Sequence, residues 1–401
     1  MGVLSGKHII LGISAGIAAY KTPFLVRLLI KAGAEVKVVT TPTAQDFVTP
    51  LTLSTVSKNE VHSKFVKTED DTVQWNNHVD LALWADLMII APATANTLSK
   101  MASGVADNLL LAVYLSSKCP VYYAPAMDLD MYRHGSTKAN FTTLESYGNI
   151  QIPAESGELA SGLVGEGRMA EPEAIVNFIT DDIAAKLPLR NKKVLITAGP
   201  TYEAIDPVRF IGNHSSGKMG YALAEVAAQL GAEVILISGP VAITASHGAI
   251  KTVAVTTATE MYDAAHQYFT AVDIAIAAAA VSDYRPKTVA SQKIKKKSDT
   301  LTITLEKNKD ILASLGAIKK HQLLVGFALE TENEQTNAKS KLKKKNLDFI
   351  VLNSLQDKDA GFQKDTNKVT IIDKEGEIYP FEAKSKHEVA LDIFDQIQKR
   401  L

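Results

Sequence analysis

Short apolar runs alternate with helical repeats along the chain, and the alternation begins twice. His8–Gly12 reads as a strand; Ile17, Phe24, Leu25, Leu28 and Leu29 then recur at helical spacing until Gly33. Glu35–Thr40 alternates as a second strand, and Leu87–Ala91 and Val121–Ala124 add two more. The plan restarts at Val194–Ile196, whose apolar run breaks at Gly199-Pro200. A long polar loop follows, and Ala222, Ala224, Val226, Ala227 and Leu230 mark a helix that Gly231 stops. Glu233–Ser238, Val272–Ala280, the run ending Gly326–Glu330, and Asn346–Asn353 continue as strands, with Lys368–Tyr379 a hairpin. Capping boxes at Thr257-x-x-Glu260, Thr331-x-x-Glu334 and Ser385-x-x-Glu388 open helices, the last with Ala390, Ile393, Phe394 and Ile397 on one face.

Strands alternating with helices predict mainly parallel sheets flanked by helices. Glu171-Pro172-Glu173 starts a helix running to about Leu187, and Pro188 with the charged run Arg190–Lys193 reads as a linker. The fold class is therefore α/β, two fused Rossmann-like domains, with the boundary giving 1–188 and 189–401. A length of 401 residues has room for two or three domains, and a formal charge of −1 gives no general pull toward nucleic acid or membrane. Lysine clusters without interleaved aromatics read as solvated faces rather than a nucleic-acid surface. Cys119, alone, excludes an internal disulfide and any multi-cysteine metal site, and KCPVYYAP reads as a buried strand. No basic stretch precedes an apolar one at the start, and no run approaches a membrane span. A soluble, cytoplasmic protein is expected.

Ligands of such sheets sit at the carboxyl ends of the strands. After the first strand stands Gly12-Ile13-Ser14-Ala15-Gly16, formally G-x-S-x-G. A hydrolase elbow normally lies deeper in the sheet order, so Ser14 reads poorly as a nucleophile. A nicotinamide site is also disfavoured, because the second strand ends in Thr40-Thr41 without an acid for a ribose hydroxyl. A phosphate held by backbone amides and Ser14, with no adenosine half, describes a mononucleotide. The loop Ala91–Thr97 is small and hydroxylated, suiting a flat polar ring or an ordinary ST turn. His78 at a helix start is a cap or a proton carrier. In the second half, Gly212–Met219 reads G-x-x-x-x-G-K-M, lacking the hydroxyl that holds Mg²⁺ in a P-loop. Spacing alone allows Ser215-Ser216-Gly217 to be a helix cap.

The strings ITAGPT, DPVR and NHSSGKMG resemble the synthetase domain of the bacterial bifunctional coenzyme A biosynthesis family. Its members join a phosphopantothenate–cysteine ligase to a phosphopantothenoylcysteine decarboxylase. GISAGIAAYK, APATANT, ADNLL and APAM resemble the flavin-dependent cysteine decarboxylases. The resemblance implies a flavodoxin-like N-terminal flavoprotein binding FMN through Ser14, Thr40, Thr94, Asn96 and Thr97, with His78 catalytic. In this half two positions depart from the family. Asp128 replaces the Asn of P-A-M-N that binds the substrate carboxylate, and Ser161 replaces the Cys of the substrate flap. An ionised Asp repels a carboxylate, and a hydroxyl is a far weaker acid than a thiol.

For the C-terminal ligase the resemblance implies CTP, with Mg²⁺ on its triphosphate and no metal ligands identifiable. Ala277, Ala278, Ala279 and Asp283 would surround the nucleotide, as would Lys309, Asp310, Ile311 and Leu312, where Lys309 stands for the family's Pro. Phe327 would stack the base, with Lys341 and Lys345 beyond. Asn213 would hold the pantothenate carboxylate and the acyl-cytidylate, with Arg209 nearby, and Lys293 would be the catalytic lysine. Lys296 and Lys297 read as solvated. The implied product of ligation passes to the first domain for oxidation at the thiol, loss of CO₂ and reduction to 4′-phosphopantetheine. Trimers of flavin domains joined through ligase dimers are implied too. The alternative is a ligase whose first half is an inactive flavin-binding scaffold.

Overall fold

In a computed structural model, residues 2–69, 72–295, 300–330, 333–354 and 366–401 are described, and the chain divides into units of residues 1–185 and 186–401. In the first, β1 (His8–Ile13) is buried at five consecutive positions because helices cover both of its faces. Ile9, Leu11 and Ile13 enter one core with Leu25, Leu29, Ile175 and Ile179, while Ile10 enters the other with Met88, Ile90 and Leu110. Period-two alternation is thus hidden inside an apolar run.

The other strands are β2 (Glu35–Thr40), β3 (Val61–His62), β4 (Leu87–Ala93), β5 (Val121–Pro125) and β6 (Ile150–Gln151). All pair in parallel, in the order β3-β2-β1-β4-β5-β6. This is the doubly wound Rossmann order; without the two-residue β3 it becomes the flavodoxin order. Either way the strand order reverses between β1 and β4. A short antiparallel hairpin, β7 (Glu155–Glu158) with β8 (Val164–Arg168), stands apart from the sheet.

The helices used below are α1 (Thr22–Lys31), α2 (His78–Trp84), α3 (Ala95–Ser103), α4 (Leu129–Arg133) and α5 (Pro172–Ala185). The helix predicted from Ile17 is two elements, a 3-10 turn at Ile17–Lys21 and then α1, whose buried stripe is Thr22, Leu25, Val26 and Leu29. Ile17 and Phe24 are 59% and 62% exposed, so they do not belong to the core as the spacing suggested. Cys119 lies just before β5, half-buried rather than within a strand, and burial pushes its thiol up.

The second unit repeats the plan with β9 (Lys193–Ala198), β10 (Tyr202–Ala204), β11 (Phe210–Gly212), β12 (Glu233–Ser238), β13 (Ile250–Ala254), β14 (Ile274–Ala277), β15 (Leu323–Glu330), β16 (Phe349–Ser354), β17 (Val369–Asp373) and β18 (Ile378–Pro380). Its eight-stranded sheet runs β13-β12-β9-β14-β15-β16-β17-β18, parallel through β16 and closed by the antiparallel hairpin that Lys368–Tyr379 predicted. Its first six strands repeat the Rossmann order, and the reversal falls between β9 and β14. Helices are α6 (Lys218–Gln229), α7 (Ala258–Phe269), α8 (Ile311–Ile318), α9 (Glu334–Lys344) and α10 (Lys386–Gln398).

Both capping boxes at Thr257 and Ser385 form in full. Thr331 of the third box lies outside the described residues; the N-cap position of α9 is Asn333, in the left-handed region at φ 49° without a side-chain cap bond. The strand predicted over Val272–Ala280 is shorter, because pairing with β15 stops at Ala277–Gly326. Ala278 and Ala280 then follow β9 alone, through Thr197 and Gly199 carbonyls. Nor is the predicted linker free chain: Leu189 is fully buried in the second unit's core, and its amide donates to Leu230 O.

Candidate functional site

Ser14 leaves β1 at the point where the strand order reverses. Its side chain is 1% exposed; Oγ donates to Pro92 O at 2.7 Å and accepts from the Thr94 amide at 3.0 Å. It therefore ties the β1 loop to the β4 loop and is no free nucleophile. Thr94 stands at the N-cap of α3 without a side-chain cap bond, its hydroxyl donating instead to Thr97 Oγ1 at 3.3 Å. The first turn of α3 thus keeps its amides for a ligand. Thr94, Asn96 and Thr97 line a cavity of about 510 Å³ together with Thr41. Thr40 and Thr41 each carry a buried hydroxyl oxygen without a partner among the described residues. Unsatisfied buried hydroxyls and an uncapped helix N-terminus beside one cavity fit a phosphorylated, hydrogen-bonding cofactor. Thr40 and Ser14 stand behind the wall; Thr41 was visible in the sequence only as Thr40's neighbour.

A second cavity, about 520 Å³, shares Ala126 and Met127 with the first and is walled by Asp128 and by Ser161 of the β7–β8 hairpin. The two departures from the family pattern therefore face one space. Asp128 caps α4 by accepting the Leu129 amide at 2.6 Å. Ser161 is exposed at the hairpin tip, where Gly162 takes φ 84°. Lys21 and Arg168 also line this cavity, yet both are committed to Glu171, at 2.8 and 2.5 Å. Lys21, 5% exposed, further donates to Met169 O at 3.1 Å. The Lys21 bond foremost, then Arg168, holds the Glu171 carboxyl below its ordinary range against the effect of burial. Lys21 was missed in the sequence because its partner is 150 residues away. Neither Asp128 nor Glu158 on the same wall forms an ion pair among the described residues.

His78 opens α2 behind an Asn77 cap, with Nδ1 buried and unpartnered and the Phe65 ring edge-on at 6.1 Å between centroids. It lines neither of these two cavities.

In the second unit the loops after β9 and β14 enclose about 490 Å³. Gly217 adopts φ 77° to start α6, and Gly220 lets that helix lie against β9: a Cβ there would stand 2.5 Å from the Ala198 Cβ. Asn213, Ala278, Ala279, Asp283 and Phe327 share the wall of this cavity. Asn213 Nδ2 donates to Ala280 O at 2.9 Å and Val281 O at 3.3 Å, so both its N–H groups meet backbone and Oδ1 is left as acceptor. Asn353 and Asn367, not singled out in the sequence, also line the cavity with buried side-chain oxygens that lack partners. Only their place on adjoining β-elements reveals them.

Ala277, Lys293, Lys309, Asp310, Ile311, Leu312, Lys341 and Lys345 stand off this wall. Asp310 caps α8 through the Ala313 amide and pairs with Lys345 at 2.8 Å. Burial raises the Asp310 carboxyl, but Lys345 and the Ala313 amide outweigh it and the net shift is downward. Lys309 Nζ sits 4.7 Å over the Tyr262 ring. Lys293 is exposed; Lys296 and Lys297 lie outside the described residues. Arg209 is held by Asp206, at 3.0 Å through Nε and 2.5 Å through Nη2, and its Nη2 also reaches Ile294 O at 3.1 Å. Among the described residues no three of His, Cys, Asp and Glu gather for a metal, and no helix is long and apolar enough to cross a membrane.

Two α/β units, each with a cavity at its strand-order reversal, define a two-domain protein of the doubly wound class. Residues 2–184 match the family described as Flavoprotein, and residues 189–401 match the DNA/pantothenate metabolism flavoprotein C-terminal domain. The chain is 46% identical over 397 residues to the Coenzyme A biosynthesis bifunctional protein CoaBC of Bacillus subtilis (strain 168), covering 98% of this chain and 97% of that one. It is also 56% identical over 355 residues to a Cysteine/Cysteine sulfinic acid decarboxylase from an unknown prokaryotic organism, covering 87% and 98%. Among solved structures, the C-terminal domain of a CoaBC protein covers 54% of this chain and 98% of its own at 46% identity, with a TM-score of 0.46. The chain belongs to the family of bifunctional coenzyme A biosynthesis proteins.

Proposed function

We propose that residues 189–401 ligate 4′-phosphopantothenate to cysteine with CTP, and that residues 1–188 decarboxylate the product to 4′-phosphopantetheine with FMN. The observation that carries this reading is the pair of cavities at equivalent reversals, one bordered by unsatisfied hydroxyls and the other collecting Asn213, Ala278, Ala279, Asp283 and Phe327.

In ligation the pantothenate carboxylate attacks the α-phosphorus of CTP and pyrophosphate leaves. The cysteine amine then attacks the acyl carbon, loses a proton, and CMP leaves. Lys293 neutralises charge on the α-phosphate, the electrostatic task that dominates such transfers. Asn213 meets the carboxylate by exchanging its backbone bonds for substrate, and Arg209 assists through Nη1. Phe327 stacks the base. Ala277, Lys309, Asp310, Ile311, Leu312, Lys341 and Lys345 border the nucleotide's outer side. Mg²⁺ arrives on the triphosphate, since no protein cage gathers among the described residues.

In the first unit Thr94, Asn96 and Thr97 would hold FMN, with Ser14 and Thr40 backing them from behind the wall. Bound FMN supplies a two-electron acceptor that returns the pair, so the net step exchanges the substrate carboxylate for a proton with release of CO₂. The hairpin bearing Ser161 covers the substrate and excludes water, and Ser161 positions the final proton. His78 lines neither of the two cavities described above, which agrees with assembly as flavin-domain trimers, joined by ligase dimers, in which one copy supplies it to the next. The protein acts in the cytoplasm. Mass analysis of products from phosphopantothenate, cysteine and CTP tests the reading. Phosphopantetheine supports it; accumulation of the thiol acid by FMN-loaded protein promotes the ligase-only alternative.

A second reading concerns the first unit's substrate. Asp128 faces the cavity without an ion pair among the described residues, while Lys21 and Arg168 are engaged by Glu171. Phosphopantothenoylcysteine carries an amide where free cysteine carries an ammonium, and a carboxylate attracts the latter. The relative named as a cysteine and cysteine sulfinic acid decarboxylase supports the same reading. CO₂ release from free cysteine that Asp128→Asn abolishes would favour it; release from phosphopantothenoylcysteine alone would remove it.

A further inference from the structure

We propose that Asp206 is a positioning residue for ligation, fixing the backbone beside Lys293 through Arg209 and Ile294. The proposal rests on the reading of Lys293 as the lysine of cytidylyl transfer.

Asp206 lies in the turn between β10 and β11, and its side chain is fully shielded. One carboxylate oxygen closes that turn, accepting the amides of Val208 at 2.9 Å and Arg209 at 2.8 Å. The other accepts Arg209 Nε and Nη2 and, from 88 residues away, the Ile294 amide at 3.1 Å. Arg209 Nη2 then donates to Ile294 O. Both polar backbone groups of Ile294 therefore end on one ion pair. A third tie joins the same two segments, Ala290 N to Ile205 O at 3.0 Å.

These bonds matter because of what the tied segment lacks. Tyr284–Pro286 pairs with Leu305–Lys307, but residues 291–295 form neither strand nor helix. A segment without its own ladder takes its position from such external bonds. Lys293, adjacent to the clamped residue, projects an exposed side chain whose reach is set by where Ile294 is held. At its other end the same hairpin runs through Gly212 into Asn213, whose amide reaches the cavity loop at Ala280. One small hairpin thus sets the place of both the Lys293 segment and Asn213. Charge-assisted bonds make this a stiff connection, with Arg209 holding the Asp206 carboxyl far below its ordinary range. None of the hairpin turn's residues 205–209 belongs to the hydrophobic core, so the clamp can be cut without emptying it.

The experiment separates the two half-reactions in the full-length, FMN-loaded protein. Pyrophosphate release from CTP and phosphopantothenate reports cytidylyl transfer; cysteine added to preformed phosphopantothenoyl-cytidylate reports the second step. Asp206→Ala should slow the first about 10- to 100-fold in kcat, as small misplacements of catalytic groups do, with KM for CTP little changed. The second step, in which Lys293 has no part, should slow far less. Asp206→Glu should recover part of the loss. Asp206→Ala added to Lys293→Ala should cost much less than the product of the two single losses, because there is no longer a lysine to place. Equal slowing of both half-reactions, or full multiplication of the two losses in the double variant, would overturn the proposal. If Lys293→Ala itself leaves pyrophosphate release intact, the underlying reading of Lys293 fails, a separate result. Thermal melting of the second unit, followed by circular dichroism, monitors folding of the part of the chain that carries Asp206. Should Asp206→Ala not fold, Asp206→Asn, which keeps an acceptor for the turn amides but loses the charge facing Arg209, gives the same tests.

Discussion

Ser14 Oγ stands 3.0 Å from the amide nitrogen of Thr94, joining the loops after β1 and β4 across 80 residues of sequence. One hydroxyl therefore sets the distance between the two loops that border the proposed flavin cavity. Ser14→Ala leaves the Thr94 amide and Pro92 carbonyl without this partner, a loss of about 1–3 kcal/mol for buried groups. The expected outcome is a lower melting temperature for the first unit and a lower flavin-to-protein absorbance ratio after purification. Full retention of flavin would show that the loops hold their spacing without it.

Gly220 gives a sharper steric prediction. An added Cβ would meet the Ala198 Cβ at 2.5 Å and its Cα at 3.0 Å, both parts of a buried strand that cannot step aside. Gly220→Ala should destabilise the second unit by about 1–3 kcal/mol, the usual cost of overpacking. Ligation should be lost on warming before decarboxylation is, measured on the same sample.

The Glu171 carboxyl is held low by Lys21 and Arg168. A depressed folded pKa stabilises above the unfolded value and ceases to do so as pH falls through the folded one. Wild type should therefore melt above Glu171→Gln at neutral pH, and the two should converge below about pH 4, the ordinary glutamate range. Melting of the first unit followed by flavin fluorescence checks this. A gap that persists undiminished in acid would mean that packing, not charge, distinguishes them.

His78 has an unpartnered buried Nδ1. His78→Asn should leave flavin bound and stop CO₂ release from phosphopantothenoylcysteine. Turnover within a few-fold of wild type would leave the histidine a helix-start residue and nothing more.

The strands were legible because sheets covered on both faces write continuous apolar runs, as at Ile9–Ile13 and Val194–Ala198. Loop residues were legible through motif strings: Thr94, Asn96 and Thr97 share one cavity, as do Asn213 and Phe327. What local sequence could not reveal was chemistry assembled at a distance. Lys21 looks like any helix-end lysine until Glu171 folds beside it, and Asp206 looks like a turn residue until Ile294 arrives. Phe24 misled for the opposite reason: its spacing fits a helix, but the 3-10 turn before Thr22 resets which face is buried.

Leu189 carries a consequence for proteases. Arg190, Lys192 and Lys193 look like an open invitation to trypsin, yet the amides of all three are tied: Arg190 to Leu187 O, Lys192 to Leu189 O and Lys193 to the Asp273 carboxylate. Cleavage needs a stretch of backbone that can be drawn out into an enzyme's cleft, and Leu189 anchors this one in the second core. At this junction, brief digestion of the folded chain should cut after Lys186 and spare the basic cluster beyond it.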